Sequence, residues 1–314
     1  MRVVRGRPST WSLAGIRRAV AVGVFDGVHL GHRHVLAQLR QRASESGIEA
    51  GVLTFDPHPL AVVAPERAPA MLTGIEHRLE LLDGLQVDVA AVLTFDDVVR
   101  EWSPTAFVTE TLGSAMAADL VVVGEDFRFG KDRTGHVGLL RELGSGLGFE
   151  TVIVPLVGED WPVSSTRIRE MIAAGDVAGA TAGLGRPPAL WGAVVAGDGR
   201  GRSIGVPTAN LDIPGGMAVP GGGVYAATAG RSADEVLPAV VNIGVRPTFD
   251  GRAETVEAHL LGFDGDLYGE ILRVRFVARI RDEQRFDGID ALVAQIERGI
   301  EAARELLRSG PGNG

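Results

Sequence analysis

Cysteine is absent from this chain of 314 residues. Without thiols, the protein has no disulfide framework, no thiolate metal site and no cysteine nucleophile. The lack of cysteine also agrees with a reducing compartment, and we expect the protein to be cytoplasmic.

Long apolar runs and an excess of basic residues are lacking as well. No stretch of about 18 apolar residues occurs, so the sequence predicts neither a transmembrane helix nor a membrane partner. Arginine and lysine total 31 against 40 acidic residues, and the formal net charge is −9. Nucleic-acid binders present a basic face, so we expect no nucleic-acid partner, although local arginines can still bind a small phosphorylated ligand. The expected state is a monomer or a weak homo-oligomer.

The first half of the chain alternates near-continuous apolar segments with amphipathic ones. This alternation predicts an α/β domain with a parallel sheet covered on both faces. In such sheets, ligands bind beyond the carboxyl ends of the strands. The expected strands are residues 19–25, 51–55, 89–95, 120–124 and 151–155, and the expected helices are 33–46, 74–82, 104–112 and 137–143.

The character of the sequence changes near Gly185-Arg186-Pro187-Pro188. Beyond it, short valine-rich segments separated by glycine and proline predict an antiparallel β-barrel. The final segment has apolar residues at three- and four-residue spacing, which predicts an amphipathic helix packed on the barrel. The expected fold class is therefore α/β plus β, with domains at 1–184 and 185–314. The predicted barrel strands are 190–196, 223–229, 237–243, 255–261 and 271–280, and the predicted helix spans 289–307.

Two histidines three residues apart follow the first predicted strand. Asp26-Gly27 breaks that strand, and His29, Gly31 and His32 come where a helix begins. Free N–H groups at a helix start attract anions, and glycine lets a phosphate approach the backbone closely. Two imidazoles can donate hydrogen bonds to a phosphoryl group as its charge grows. A helix cap or a solvated side chain is the alternative, but this pattern resembles the His-x-Gly-His signature of nucleotidylyltransferases.

Two further loops follow later strands of the first half. In Thr54-Phe55-Asp56-Pro57-His58-Pro59, two prolines stiffen the backbone and present Asp56 and His58, although a plain rigid turn explains this segment equally well. In Gly124-Glu125-Asp126-Phe127-Arg128-Phe129-Gly130, two aromatic rings flank an arginine in a chain with only 5% aromatic residues. A planar ring system could stack there with Arg128 near a phosphate, or the loop is a hydrophobic anchor.

A serine-rich segment, Ser164-Ser165-Thr166-Arg167-Ile168-Arg169, precedes a predicted helix. Serine or threonine is a normal N-cap, but two arginines in a first turn oppose the helix dipole. A phosphate bound at this turn would remove the conflict, whereas solvated arginines beside a capped helix would not need one.

These four motifs together resemble the FMN adenylyltransferase domain of bacterial bifunctional riboflavin kinase/FAD synthetases, in order and spacing. The resemblance implies a Rossmann-like nucleotidylyltransferase domain over residues 1–184, in which the FMN phosphate attacks the α-phosphorus of ATP without a covalent enzyme intermediate. It makes His29 and His32 catalytic. It assigns ATP to Gly23, Phe25, Asp26, His29, Gly31, His32, Asp126, Ser165, Thr166 and Arg169, and the flavin to Pro57, His58, Pro59, Phe127 and Arg128.

The second half carries its own candidate site. Thr208 and Asn210 are two residues apart on an extended segment, so a hydroxyl and an amide share one face as oxygen ligands suited to Mg²⁺ with phosphates. Glu257 lies in an alternating strand and could accept a proton from a primary alcohol that attacks a γ-phosphate. A solvated strand face is the ordinary explanation for such a glutamate.

The motifs Gly-Val-Pro-Thr-Ala-Asn, Asn-Ile-Gly-Val-Arg-Pro-Thr-Phe and Val-Glu-Ala-His-Leu-Leu-Gly-Phe resemble the riboflavin kinase module of the same family. This resemblance implies a six-stranded barrel with a helix near its C-terminus, over residues 185–314. It makes Glu257 the catalytic base, Thr208 and Asn210 the ligands of Mg²⁺ and phosphate, and Gly205 and Pro207 part of the ATP loop. The sequence departs from the usual family pattern at Val24, Pro188, Val206 and Gly262.

The expected function is therefore bifunctional. The second domain phosphorylates riboflavin to FMN with Mg-ATP, and the first adenylylates FMN to FAD and releases pyrophosphate. One alternative is an adenylyltransferase with a weakened or inactive kinase module. A regulator that binds flavin or nucleotide without turnover would not need Glu257, and an adenylyltransferase for another acceptor leaves the second domain unexplained.

Overall fold

The computed structural model describes residues 1–13, 15–155, 163–197, 201, 205–232, 235–248, 251–284 and 286–309. Their contacts divide the chain into two compact units. The first comprises Met1–Pro69 and Gly74–Ser164, and the second comprises Ala70–Thr73 and the described residues from Ser165 onward.

The first unit is built on a parallel sheet of six strands within the described residues, in the order β1-β4-β3-β2-β5-β8. Alternate residues of its central strand face opposite sides, so Val20 joins one buried cluster while Ala19 and Ala21 join another. This double burial is why the strands are near-continuous in valine, alanine and leucine. The strands are β1 (Arg2–Gly6), β2 (Arg18–Val22), β3 (Glu49–Asp56), β4 (Val89–Thr94), β5 (Ala118–Gly124) and β8 (Glu150–Val154).

Helices cover this sheet, and a short hairpin follows β5. The hairpin consists of β6 (Arg128–Phe129) and β7 (Gly135–His136). The predicted helix at 104–112 is in fact a short α-helix that continues as a π-helix over Val108–Ala115. The α-helices are α1 (Leu30–Ser46), α2 (Pro59–Val63), α3 (Ile75–Gly84), α4 (Pro104–Phe107) and α5 (Val137–Leu147).

Strand β1 was not among the predicted strands. It lies at the sheet edge, paired in parallel with β4. Its arginines face outward, where Arg2 pairs with Glu49 at 3.0 Å and Arg5 with Glu76 at 2.8 Å. An edge strand protected by charges lacks the apolar run that marks a central strand, so the sequence pattern missed it.

The second unit contains a closed barrel of six antiparallel strands within its described residues, in the order β10-β13-β12-β11-β14-β9. Both expected architectures, the parallel sheet and the barrel with a terminal helix, are thus confirmed. Helices α6 (Ser165–Ala173) and α7 (Val177–Leu184) precede the barrel, and α8 (Ile289–Ser309) follows it. The strands are β9 (Ala189–Val195), β10 (Ala209–Asp212), β11 (Gly223–Gly230), β12 (Leu237–Thr248), β13 (Gly251–Leu260) and β14 (Ile271–Arg281).

Strand β11 is buried on both faces. Tyr225 and Ala227 belong to the cluster that fills the barrel. Val224 and Ala226, which alternate with them, are also buried, because α8 packs across β11, β12 and β14 on the outside of the barrel. Residues that point outward beside this helix are therefore placed to line a cavity between helix and barrel.

Candidate active sites

A strained turn connects β2 to α1. Phe25 and Val28 have φ values of +51° and +40°, and Gly27 between them has +81°. Left-handed backbone is a clear outlier for a β-branched residue such as Val28, and each such residue costs about 1–3 kcal/mol. The predicted strand at 19–25 therefore ends at Val22, because Phe25 has left the extended conformation. Strain of this kind is concentrated at functional sites.

The two predicted catalytic histidines lie against each other at the start of α1. The rings of His29 and His32 are stacked with centroids 3.6 Å apart and planes 16° apart. His29 is the N-cap, and its Nδ1 accepts a hydrogen bond from the His32 backbone N–H at 3.2 Å. The edge of Phe25 packs against His32, with centroids 5.3 Å apart. The cap interpretation of His29 is thus correct, and it coexists with a paired-imidazole site at a helix N-terminus, where anions bind.

Two glycines and a buried carboxylate complete this turn. A Cβ at Gly31 would lie 3.1 Å from the His29 ring and 3.6 Å from the Val163 carbonyl oxygen. A Cβ at Gly23 would lie 3.2 Å from the Phe25 ring. Asp26 is only 2% exposed. The packing leaves little room for side chains at either glycine.

Arg78, on α3, is a buried charged residue close to this turn, and the sequence pattern does not predict its burial. Its side chain is 2% exposed. Burial lowers the pKa of the Arg78 guanidinium below its ordinary value, and attraction to the carboxylates of Asp26 and Asp56 opposes that shift. Its only signal in the sequence is a charge beside the buried Leu79 and Leu82 of one helix, and that pattern does not distinguish a buried arginine from a solvated one.

Phenylalanine rings form a continuous row in the first unit. Phe127 stacks on Phe129 with centroids 5.3 Å apart, and Phe129 contacts Phe107 at 5.7 Å. From there the row continues to Phe55 at 6.4 Å and Phe95 at 6.1 Å. The row links the carboxyl ends of β3 and β4 to the loop after β5. Phe129 is the buried anchor, whereas Phe127 is half-buried and presents a surface for stacking.

The polar side chains of the predicted flavin and nucleotide loops are more exposed than the row of phenylalanines. Asp126 and Arg128 are exposed, and Arg128 Nη1 donates to the Phe127 carbonyl at 2.9 Å. His58 is the N-cap of α2, and its Nδ1 accepts from the Leu60 N–H at 3.1 Å. Pro57 is exposed, and Pro59 is the first residue of that helix.

Ser165, Thr166 and Arg169 belong to α6, and the contacts group this helix with the second unit. Ser165 is its first residue, and Thr166 is exposed. Arg169 Nε donates to the carbonyl of Ala70 at 2.6 Å, in the same unit. Ile168 and Ile172 form the buried face of the helix.

In the second unit, strand register places three polar residues in a row. Glu257 on β13 lies opposite Asn210 on β10 and opposite Asn242 on β12. Residues directly opposite each other point to the same face of a sheet. This face is the outer one, since their neighbours Val241, Val256 and Ala258 fill the barrel. Asn242 belongs to this row although the sequence pattern assigns it no role.

A cavity of about 300 Å³ lies on this outer face beside α8. Thr208 and Glu257 both line it, whereas Asn210, Gly205 and Pro207 are not among its lining residues. Its wall also contains Asn242, His259, Glu283 and the apolar residues Val224 and Ile296. His259 Nδ1–H donates to the carbonyl of Pro207 at 2.7 Å, which ties the loop before Thr208 to the strand that carries Glu257.

Glycines bring backbone and polar groups of this site close together. A Cβ at Gly197 would overlap the Asn210 amide, and one at Gly201 would lie 3.4 Å from the Thr208 hydroxyl. A Cβ at Gly244 would overlap the Glu283 carboxylate. Gly205 has a φ of +79°, a conformation that glycine adopts without strain. The sequence does not indicate that Glu283 belongs to the site. The position of its carboxylate depends on the lack of a side chain at Gly244, which lies in another segment.

The four residues that depart from the family pattern do not remove any of the contacts described above. Val24 contributes its backbone carbonyl, which accepts from the Thr54 hydroxyl at 2.9 Å. Pro188 likewise contributes a carbonyl, which accepts from the Phe276 N–H at 2.9 Å. Val206 lines the cavity itself, and Gly262 has a φ of +76°.

Known proteins are similar in sequence to both halves of this chain. The family model described as FAD synthetase matches residues 14–167, and the one described as riboflavin kinase matches residues 184–307. A bifunctional riboflavin kinase/FMN adenylyltransferase of Escherichia coli strain K12 is 36% identical over 308 residues, 98% of this chain and 98% of that protein. One from Pseudomonas fluorescens is 40% identical over 288 residues, 91% of each chain.

A solved structure covers the same length. It is the crystal structure of a protein from Streptococcus pneumoniae described as a macrolide-efflux protein. Its TM-score is 0.87 at 30% identity, over 97% of this chain and 99% of that one. In the part of this chain that the structure describes, none of the helices combines the length and apolar character needed to span a bilayer.

A parallel α/β unit with paired imidazoles at a helix start, joined to a barrel with a carboxylate-lined cavity, defines a two-part group-transfer enzyme. The chain belongs to the family of bifunctional riboflavin kinase/FMN adenylyltransferases. It is an enzyme of FAD biosynthesis with both activities, so ATP, riboflavin and FMN are its substrates and FAD is its product. The resemblance stated from the motifs is thereby confirmed.

Proposed function

We propose that adenylyl transfer takes place at the start of α1, with His29 and His32 stabilising the charge that develops on the α-phosphate of ATP. The stacked pair at 3.6 Å supports this role, because both rings lie where helix N–H groups favour an anion. Gly23, Phe25, Asp26 and Gly31 form the turn that receives the nucleotide. Asp126 is proposed to lie beside it, on the resemblance.

FMN is proposed to bind over the loop of Pro57, His58 and Pro59, with its ring against Phe127. The half-buried face of Phe127 at the end of the phenylalanine row supports stacking of a planar ring. Arg128 is exposed and available to the FMN phosphate. The assignment of Ser165, Thr166 and Arg169 to the ATP phosphates rests on the resemblance alone.

In the barrel, Glu257 is proposed to take the proton of the riboflavin 5′-hydroxyl as that oxygen attacks the γ-phosphate of ATP. Its place in the cavity wall with Thr208, and opposite Asn210, carries the proposal. Among the described residues, no three acidic or histidine side chains cluster to hold a metal by themselves. Mg²⁺ would therefore share its coordination between nucleotide phosphates, the Thr208 hydroxyl and the Asn210 amide oxygen, as is usual for this ion. Gly205 and Pro207 form the accompanying ATP loop.

The adenylyltransferase domain is proposed to cover residues 1–184 and the kinase domain residues 185–314. The family-model ranges of 14–167 and 184–307 support this division. The contacts of the described residues group α6 and α7 with the barrel, so residues 165–184 belong to one half by sequence and to the other by packing. Consumption of ATP in both reactions supports the cytoplasm as the compartment.

The direct test is incubation of the purified protein with ATP, Mg²⁺ and riboflavin, with the products separated by chromatography. We expect FMN and then FAD, and chelation of Mg²⁺ should stop both steps because the phosphates lose their counter-ion. Absence of both products would refute the function. FAD from supplied FMN, but none from riboflavin, would instead indicate an inactive kinase module.

Gly197 provides a test of the proposed Asn210 role. A methyl group at this position would overlap the Asn210 amide, so Gly197→Ala should lower the rate of FMN formation by about tenfold or more through displacement of a ligand. Gly215→Ala is the matched control, since a Cβ there meets nothing within 4 Å. Equal FMN formation by the two variants, measured at saturating riboflavin, would contradict the role of Asn210.

A further inference from the structure

Arg78 is a buried cation for which the proposed reaction has no use. Its Nη1 donates to the Phe55 carbonyl at 3.0 Å and to the Thr54 hydroxyl at 3.2 Å. Its Nε is also buried and has no hydrogen-bond partner among the described residues. A guanidinium buried with incomplete hydrogen bonding is costly, so its position in this unit calls for a compensating role.

The hydrogen bonds of Arg78 lead to the strained turn before α1. The Thr54 hydroxyl accepts from Arg78 and donates to the carbonyl of Val24 at 2.9 Å. Val24 directly precedes Phe25, the first of the left-handed residues in that turn. A relay of two hydrogen bonds thus connects α3, through the end of β3, to the backbone that presents the histidines.

The charge of Arg78 acts on the same turn. Asp26 is 2% exposed, and a buried carboxylate is unfavourable unless a cation or hydrogen bonds stabilise it. Arg78 attracts both Asp26 and Asp56, at the carboxyl ends of β2 and β3. One side chain therefore combines a mechanical link to the turn with a counter-charge for its acid.

We propose that Arg78 is a positioning residue for adenylyl transfer, which holds the 25–28 turn and the charge of Asp26 so that His29 and His32 stay aligned for catalysis. The inference rests on the proposed function of the first unit. It requires no contact between Arg78 and either substrate, so the effect should fall on kcat for FAD formation and much less on KM for ATP or FMN.

The test compares Arg78→Met and Arg78→Lys in the full chain with FMN supplied. Arg78→Met should lower kcat for FAD formation about 100-fold, which is the loss expected when catalytic groups, here His29 and His32, are displaced by about 1 Å. Arg78→Lys should have a kcat about tenfold higher than Arg78→Met, because lysine restores the positive charge but not the several N–H donors of the guanidinium. Arg18→Met is the matched control. Arg18 is 0% exposed, and it bonds to Glu49, Leu13 and Met116 around the opposite, amino-terminal end of β2.

The control separates folding from positioning. Both Met variants should lower the melting temperature, but only Arg78→Met should lower the rate per folded molecule. Equal losses of rate in both, or an unchanged kcat in Arg78→Met, would overturn the inference. If the wild type forms no FAD at all, the proposed function fails first, so the two failures are distinguishable.

A second pair of variants tests the relay even if Arg78→Met does not fold. Thr54→Val keeps the shape of the side chain and removes the hydroxyl that joins Arg78 to Val24, so kcat should fall about tenfold. Thr54→Ser keeps the hydroxyl and should stay near the wild-type rate. The same rate in both variants would show that the relay does not position the turn.

Discussion

Replacement of Glu257 by glutamine should abolish FMN formation from riboflavin while FAD formation from supplied FMN continues. A general base contributes about 10²–10⁴-fold to a rate, and a neutral amide of the same shape cannot accept the proton of the attacking hydroxyl. Because Glu257 lies on the outer face of the barrel, opposite Asn210 and Asn242, its substitution removes no side chain from the barrel core. Initial rates of FMN formation with saturating ATP and Mg²⁺ measure the effect.

Glu283 gives the sharpest comparison for this prediction, since its carboxylate lines the same cavity. Glu283→Gln should keep most of the kcat for phosphorylation, because the base is proposed to be Glu257 alone. Asp212→Asn, an exposed change on β10 outside the cavity wall, serves as the control for strand substitutions. Loss of phosphorylation in Glu283→Gln, with activity kept in Glu257→Gln, would exchange the roles of the two acids.

Replacement of His29 or His32 by asparagine should have the reverse effect on the two reactions. Loss of one hydrogen-bond donor to a developing negative charge lowers kcat by about 10²–10³-fold, so FAD formation should fall by that factor and FMN formation should continue. Asparagine is chosen because His29 caps α1, and asparagine is a preferred N-cap. Alanine would remove the cap as well, at a cost of about 1 kcal/mol of stability, and would mix two effects.

His34→Asn is the control for this pair. His34 lies on the same helix, two residues beyond His32, and is exposed. It should leave FAD formation from FMN unchanged, as measured by chromatography of the products. Wild-type FAD formation by His29→Asn and His32→Asn would remove the imidazole pair from the mechanism and leave the helix start as the sole phosphate site.

The interior of both units could be predicted from local sequence, whereas β1, β10 and the two short hairpin strands β6 and β7 could not. Central strands such as β2 and β5 are buried on both faces and read as apolar runs. In contrast, β1 carries outward arginines, and β10 has only four residues, two of which are the polar Asn210 and Asp212. Each is recognised only when its pairing partner is known, because short or charged strands lack a periodic signal of their own.

The candidate site residues also fall into two groups, those that local sequence could predict and those that it could not. The histidine pair was predictable, because a spacing of three positions at a helix start places two side chains next to each other. Asn242 lies 15 positions before Glu257 in the chain (257 − 242), and only the pairing of β12 with β13 places it opposite. Arg78 is farther still from Asp26, and the packing of α3 against the sheet decides that its guanidinium is buried.

The family to which the chain belongs was indicated by the resemblance of its motifs. Local spacing in the amino-acid chain was sufficient for the two fold types and for the His29–His32 pair. Those features depend on neighbours in sequence and on helix or strand periodicity. The common cavity wall of Thr208 and Glu257, the row of phenylalanines and the buried position of Arg78 depend on contacts between distant segments. Only the packed fold decides such contacts. The free energy that offsets the loss of chain entropy comes from apolar surface buried between distant segments, and the local sequence of one segment does not specify its partner.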